Sequence, residues 1–181
     1  IREACQYNKN IRIALEYKAK EPRNRCYLNN TAVTILILDE IGEANCGAVL
    51  DYGHVLLGYE SPAEAVALLH KYGDRLFHVH INDNYRLWDD DLIVGSVHTL
   101  EYLEFLYWLR RTKYNGFMTI DQYPYREDGR DAVTESAEWL NILESLVADA
   151  DLNGISEMLK RKDAIEASRF MRKLLFKGMT K

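Results

Sequence analysis

Four short apolar runs of this chain each end in an acid or a histidine, and helical patterns separate the runs. The runs end at Glu16, Asp51, His80 and Asp121. Alternation of apolar runs with helices indicates βαβ units around a parallel sheet. Because ligands of such sheets bind beyond the carboxyl ends of the strands, residues at those ends share one region of space. The pattern therefore predicts one polar site to which four strand ends contribute.

The regular spacing of the strand ends predicts an α/β fold of the (β/α)8 TIM barrel type. A complete barrel takes about 250 residues, whereas this chain of 181 residues supplies four such units, with strands predicted at 12–17, 48–51, 76–81 and 117–120. We therefore expect residues 1–149 to form a half-barrel corresponding to strands five to eight. The missing N-terminal half-barrel would complete it. Residues 150–181 are predicted to form a helical C-terminal extension that packs against a neighbouring part of the enzyme or another subunit.

Capping signals locate the helices between these strands. Asn30 is a possible N-cap of a helix over 30–41. Ser61 is the predicted N-cap of the next helix, with Pro62 at its first position and Glu64 completing a capping box. Further helices are predicted over 99–112, 130–149, 155–161 and 163–176.

Charge and cysteine content exclude several classes of function. The net charge of −5 and the isoelectric point near 5.6 argue against a nucleic-acid partner or an anionic membrane. The three cysteines form no CxxC pair, which favours reduced thiols. No apolar run has membrane-spanning length. We expect a cytoplasmic protein with no membrane partner.

The strand ends carry the ligands expected for a first divalent cation. This predicted set comprises Glu16, Asp51, His80 and Asp121. A set rich in oxygen with one imidazole suits Mn²⁺, Mg²⁺ or Co²⁺ better than structural zinc, although Zn²⁺ stays possible. One acid after a strand is commonly only a helix cap or a solvated loop residue. Four such ends make coincidence a weaker explanation.

A second divalent cation is predicted beside the first. His54 follows Asp51 by three residues, and Asp89 and Asp91 alternate within the loop after the third strand. These three side chains would hold the second cation, with Asp51 bridging the two. Clustered aspartates repel one another unless a cation offsets their charge. Two neighbouring cations are a common device for activating water and polarising oxygens.

Four other residues have competing interpretations. Arg86 is a candidate substrate contact, with a surface ion pair as the alternative. Trp88 is a candidate wall of the substrate pocket, with a loop anchor as the alternative. We expect His78 to pack inside the barrel and His98 to cap or flank the following helix.

Several motifs resemble those of a known superfamily across about residues 10–125. Glu16 and Lys18, followed by Glu21, Pro22 and Arg23, are similar to a segment of the xylose isomerase family. The step from Asp51 to His54 resembles that family's acid-x-x-His step. The run that contains His80, Asn82 and Asp83, followed by Asp89, Asp90, Asp91 and Leu92, is similar to that of bacterial L-rhamnose isomerases in the same superfamily. Asp121 matches the last-strand aspartate.

The resemblance implies a metal-dependent aldose–ketose isomerase that works by a 1,2-hydride shift on a monosaccharide. Glu16, Asp51, His80 and Asp121 would hold the structural metal, and Asp51, His54, Asp89 and Asp91 the catalytic one. The implied catalytic residues are Lys18, Glu16, Asp91 and His54, with Lys18 polarising the carbonyl oxygen at C1 and also binding substrate. Xylose isomerases proper carry Glu at the position of Asp51 and Asp at that of His80, which favours the rhamnose-isomerase branch, whereas Glu21, Pro22 and Arg23 favour the other.

Two alternative functions stay open at this point. A ketose 3-epimerase of the same barrel type uses two Glu residues as acid and base with one metal. Asp121, Lys18 and the three successive aspartates count against it. The second alternative is a non-catalytic fragment or assembly subunit. For either enzyme we expect a homo-oligomer.

Overall fold

The computed structural model describes residues 1–176 and contains a sheet of four parallel strands in chain order. The strands are β1 (Ile13–Glu16), β2 (Cys46–Asp51), β3 (Leu76–Ile81) and β4 (Met118–Ile120). Each strand pairs in parallel with the next along the chain. The predicted α/β fold with a partial barrel is confirmed.

Helices precede, connect and follow the strands. Their bounds are α1 (Arg2–Tyr7), α2 (Thr31–Ile41), α3 (Tyr52–Leu57), α4 (Pro62–Lys71), α5 (Thr99–Arg111), α6 (Gly129–Ala148), α7 (Leu152–Arg161) and α8 (Ala164–Leu175). The two predicted caps are confirmed: the Asn30 side chain accepts from the Val33 amide at 2.8 Å, and Ser61 Oγ accepts from the Glu64 amide at 3.3 Å. None of the helices in residues 1–176 combines the length and apolar character that a membrane span requires.

Sequence patterning did not reveal α3, which begins directly after Asp51. The Asp51 side chain caps this helix by accepting a hydrogen bond from the His54 amide at 2.8 Å. Gly53 brings the helix close to the end of β3, because a Cβ atom there would lie 2.4 Å from Asn82 Oδ1. At six residues, the helix is too short for a hydrophobic period to mark it.

Strand register aligns the polar strand ends. Asp51 is the direct partner of His80, and Glu16 is the partner of Val49, two residues before Asp51. Side chains two residues apart on a strand share a face. Glu16, Asp51 and His80 therefore lie on one face near the carboxyl ends of their strands. Every residue of β2 is buried, which makes it the centre of the sheet.

The C-terminal helices pack on the chain's own outer layer. Ile155 and Met158 of α7 join the buried core, and Phe170 and Leu174 of α8 pack against it. An apolar cavity of about 360 Å³ lies among α5, α6, α7 and α8. Residues 150–176 contain no strand, as predicted. The division at residue 149 stays a prediction, and the last part of the expected extension, 177–181, lies outside the described residues.

Candidate metal centre

The four strand ends converge as the sequence predicts. Ligand atoms of Glu16, Asp51, His80 and Asp121 all lie within 4.8 Å of one another. His80 Nδ1 occupies the middle of this first group, at 3.3 Å from Glu16 Oε1, 3.7 Å from Asp51 Oδ2 and 3.2 Å from Asp121 Oδ2. Three carboxylates around one imidazole make a compact set of oxygen and nitrogen donors.

A second group of ligand atoms adjoins the first. It comprises Asp51, His54 and Asp89, again with all ligand atoms within 4.8 Å of one another. His54 Nε2 lies 3.1 Å from Asp89 Oδ2, and the His54 backbone amide is fixed on Asp51. Asp51 belongs to both groups. The bridging role that the sequence predicts for Asp51 stays a prediction.

Asn82 connects the groups to Asp91. Its Nδ2 lies 3.4 Å and 3.2 Å from the two carboxylate oxygens of Asp51, and 3.3 Å from Asp91 Oδ1. Asp91, predicted as a ligand of the second cation, therefore lies beside the second group, outside the set whose atoms all lie within 4.8 Å of one another. Sequence analysis gave Asn82 no role. The signal that could have found it is its position two residues after His80, on the same strand face.

The electrostatic field of the site is negative. Burial raises the pKa of Asp51 to about 6, and burial together with the charges of Asp89, Asp51 and Asp121 raises the pKa of Asp91 to about 7. Burial would lower the pKa of His54, but the hydrogen bond to Asp89 and the charges of Asp51, Asp89 and Glu16 outweigh it and raise that pKa to about 9. Carboxyl groups that resist ionisation and an imidazole that retains its proton both favour added positive charge.

Side-chain contacts shift the pKa values of three further groups. The bond between His80 and Glu16 is the main cause that lowers the pKa of Glu16 and raises the pKa of His80. Burial would raise the pKa of Asp89, but His54 and Lys18 outweigh it and lower that pKa to about 2. Of the two carboxylates in the second group, Asp89 therefore ionises the more readily.

Two buried polar atoms in the second group lack a hydrogen-bond partner within residues 1–176. They are His54 Nδ1 and Asp89 Oδ1. His54 Nδ1 lies 3.3 Å from Glu16 Oε1 but does not form a hydrogen bond with it. Buried polar atoms normally have partners, and an unpaired one calls for an explanation such as an ion. Unpaired nitrogen and carboxylate oxygen donors beside a cluster of acids fit a divalent cation.

Comparison with protein families identifies the fold family. The family model described as a xylose isomerase-like TIM barrel matches residues 1–143. The chain belongs to this family. The resemblance drawn from the sequence is confirmed at the level of the superfamily.

Two solved structures resemble this xylose isomerase-like chain. A D-tagatose 3-epimerase-like protein is 27% identical, with a TM-score of 0.68, over 82% of this chain and 52% of its own. A 3-keto-D-glucoside 4-epimerase from E. coli, in its apo form, is 23% identical, with a TM-score of 0.58, over 77% of this chain and 49% of its own. The second likeness shows the fold alone. The chain spans about half the length of these two structures.

A cavity opens beside the second ligand group of the xylose isomerase-like chain. It measures about 380 Å³, and Lys18, Lys20, Trp88, Asp89 and Tyr125 are among its lining residues. Lys18 Nζ lies 2.8 Å from Asp89 Oδ2 and 3.0 Å from Glu21 Oε1. Burial would lower the pKa of Lys18, but these two carboxylates outweigh it and raise the pKa. Lys18 therefore presents a positive charge at the mouth of the metal centre.

The two remaining candidate substrate contacts differ in position. Trp88 is 54% exposed and lines this cavity, and the Lys20 ammonium lies 5.4 Å from its ring centre. Arg86 instead directs its Nε toward His98 Nε2 at 3.2 Å, and its terminal nitrogen lies 3.8 Å from Glu101. The structure thus gives Arg86 the ion pair that was its alternative interpretation.

His78 and His98, which were not predicted as ligands, make different kinds of contact. His78 packs beside His80, with ring centres 5.2 Å apart, and its Nε2 lies 2.8 Å from Thr119 Oγ1. His98 stands at the N-cap position of α5, as expected, but its side chain makes no cap bond. Its ring instead contacts the buried carboxylate of Asp83. Sequence analysis missed this pair because the two residues are separated by a long loop.

Proposed function

We propose that the protein containing this chain is a metal-dependent aldose–ketose isomerase that acts on a monosaccharide by a 1,2-hydride shift. The observation that supports this most strongly is the position of Asp51, which belongs to two adjoining ligand groups. A shared carboxylate is what two neighbouring cations require. Lys18 at the edge of the second group supplies the further positive charge that a developing oxyanion needs.

The residues that would hold the cations fall into two sets. The first cation would be held by Glu16, Asp51, His80 and Asp121, and the second by Asp51, His54, Asp89 and Asp91. When bound, divalent cations such as Mn²⁺, Co²⁺, Mg²⁺ or Zn²⁺ polarise substrate oxygens and organise water. The raised pKa of His54, to which the hydrogen bond to Asp89 and the charges of Asp51, Asp89 and Glu16 contribute against burial, supports positive charge at this place.

The chain's own residues would orient the open-chain sugar. Lys18 would donate a hydrogen bond to the carbonyl oxygen at C1, and Asp89 would keep the ammonium protonated and directed toward the site. Trp88 would exclude water from one wall of the cavity and contact the apolar face of the sugar. Arg86 belongs to the substrate contacts only through a rearrangement, because His98 and Glu101 engage it here.

A ketose 3-epimerase is the second candidate. The structural likeness to a D-tagatose 3-epimerase-like protein, at 27% identity, favours it. Acid–base epimerisation needs two proton-transfer groups on opposite faces of one carbon. Glu16 is available for one of them, and Asp121 stands where the second Glu would be expected. The second ligand group and Lys18 favour isomerisation instead.

We also propose that a preceding half-barrel completes the site. In the described residues, β1 and β4 each pair on one side only, and closing a sheet into a barrel pairs both of its edge strands. Size-exclusion chromatography and circular dichroism of the isolated chain test this. A stable, compact monomer would count against a missing half and would favour a non-catalytic fragment, whereas a stable oligomer of this chain alone would favour a subunit that assembles with copies of itself.

One experiment separates the two enzymatic functions. The protein that contains this chain is loaded with Mn²⁺, Co²⁺ or Mg²⁺ and given a panel of aldoses deuterated at C2 and of ketoses deuterated at C3. A 1,2-hydride shift moves the C2 deuterium of an aldose to C1 of the product ketose. Epimerisation of a ketose by proton transfer instead exchanges its C3 deuterium with solvent. We expect retained deuterium and no inversion at C3. Exchange of the C3 label with inversion would establish the epimerase, and a chelated sample serves as the control.

A further inference from the structure

The loop that carries Asp89 and Asp91 begins and ends at one buried carboxylate. Asp83, which is 0% exposed, precedes residues 84–97. Its Oδ1 accepts a hydrogen bond from the Asn84 amide at 2.9 Å, at the start of the loop. Its Oδ2 accepts from the amides of Val97 and His98, both at 2.9 Å, at the end of the loop. One side chain thus joins the two ends of this segment.

His98 adds a side-chain contact to the same carboxylate. Its Nδ1 lies 2.7 Å from Asp83 Oδ1, and its Nε2 lies 3.2 Å from Arg86 Nε. A guanidinium nitrogen can only donate, so Nε2 accepts and Nδ1 carries the hydrogen that is donated to Asp83. The imidazole therefore connects Asp83 to Arg86 within the loop.

The loop backbone needs such support. Arg86 and Asp91 have φ values of 66° and 49°, in the left-handed region that non-glycine residues seldom adopt. Within the loop, Leu92 exchanges backbone hydrogen bonds with Asp83, at 3.1 Å and 2.8 Å. Uncommon backbone conformations persist where the surrounding contacts determine them. The contacts of Asp83 supply that constraint here.

We infer that Asp83 and His98 are positioning residues that hold the 84–97 segment so that Asp89 reaches the second ligand group. The inference rests on the proposed two-cation function. Neither residue belongs to the two ligand groups. Their effect on the second cation would act entirely through the loop, and the first cation, whose ligands lie on strand ends, would not depend on them.

A series of substitutions at His98 tests whether this residue holds the backbone of the 84–97 segment in place. His98→Asn keeps an amide donor at the place of Nδ1, His98→Gln moves that donor one methylene away, and His98→Leu removes it. Hydrogen exchange of a peptide spanning 84–98 is measured by mass spectrometry on the protein that contains this chain. We expect exchange to stay near the wild-type rate for Asn, to rise for Gln, and to rise about tenfold or more for Leu, since a hydrogen bond to a charged group is lost. If the Leu variant does not fold, Asn against Gln still decides.

A matched control and a second readout separate positioning from general destabilisation. His70→Gln removes another histidine that contacts an aspartate, Asp74, on the far end of α4, and should change nothing in the loop. Direct Mn²⁺ titration should show about tenfold or greater weakening of one site for His98→Leu, with the other unchanged and with recovery in His98→Asn.

The possible results bear separately on the inference and on the proposed function. Unchanged loop exchange in His98→Leu, or equal weakening of both Mn²⁺ sites, would overturn the inference while leaving the proposed function intact. A wild-type protein that binds one Mn²⁺ would overturn the two-cation function and, with it, the role toward the second cation. In that case, exchange that follows the Asn, Gln, Leu order would still support Asp83 and His98 as the residues that hold the loop.

Discussion

The metal centre has a buried floor and a more open rim, and they are built by different means. The floor comprises Asp51, His54 and Asn82, all of which are buried. It lies on the ends of β2 and β3 and on the first turn of α3. The rim comprises Lys18, Trp88 and Asp89, which lie on loops and line the adjoining cavity.

The difference lies in what determines each position. Floor residues are held by strand register and by bonds to backbone atoms, such as that from the His54 amide to Asp51. Rim residues are held by side-chain contacts, such as the ion pair between Lys18 and Asp89. Partly exposed ion pairs contribute little to stability and rearrange readily. The floor is therefore suited to holding its cation ligands in a fixed geometry, and the rim, which includes the cation ligand Asp89, to responding to substrate.

Asp51→Asn should have the largest effect because both ligand groups share this carboxylate. We expect Mn²⁺ affinity at both sites to fall more than about 100-fold. The fold should survive, since Asn is an equally good N-cap for α3. Isothermal titration and a circular dichroism melt measure the two properties. Loss of only one cation would show that Asp51 does not bridge.

Asp89→Asn combined with Asp91→Asn should remove the second cation and leave the first. We expect turnover to fall about 10³-fold, as when a group that stabilises developing charge is removed. Metal content and product formation are measured together. Asp90→Asn is the matched control, because Asp90 lies between the two, belongs to neither ligand group and accepts a hydrogen bond from the Tyr85 amide. Full activity in the double variant would contradict the two-metal hypothesis.

Lys18→Met should separate chemistry from metal binding. Without the ammonium we expect kcat to fall about 100-fold, while Mn²⁺ affinity, which Lys18 affects only through its ion pair with Asp89, falls about tenfold and therefore less than kcat. Lys20→Met, in the same cavity but beside Trp88, is the control and should act mainly on KM. An equal loss of turnover and metal affinity in Lys18→Met would indicate a structural lysine.

Trp88→Ala should have the smallest effect and should fall on substrate binding. The indole is half exposed and Trp88 belongs to neither ligand group, so we expect KM to rise roughly three- to tenfold with kcat little changed. Trp88→Phe should restore most of the affinity. A large loss of kcat or of bound metal would place Trp88 in the floor's support and would weaken the distinction between floor and rim.

Much of the metal centre and of the elements that carry it could be predicted from the sequence. The strands ending at Asp51 and Ile81 and the caps Asn30 and Ser61 follow from local patterns and appear where they were expected. The convergence of Glu16, Asp51, His80 and Asp121 also follows, because strands of a parallel sheet end together. These features depend on the hydrophobic period, on helix-capping residues and on the rule that the strands of a parallel sheet end at the same edge.

Other features depend on contacts between residues that are distant along the chain. The Asn82 amide reaches Asp51, 31 residues away, and Asp91, 9 residues away. No hydrophobic period or sequence motif indicates either contact. The same is true of Asp83 and His98, 15 residues apart.

The sequence by itself thus determined which residues stand at the strand ends and that they form one acidic site suited to cations. Only the tertiary structure decided how the loops and α3 lie around it. Arg86 is directed toward His98, and Asp91 lies beside the second group. The helix α3 packs against Asn82 through Gly53. The physical reason is that periodicity and capping are encoded by neighbours in sequence. Loop positions depend on hydrogen bonds between residues that are distant in sequence and that the folded chain brings together.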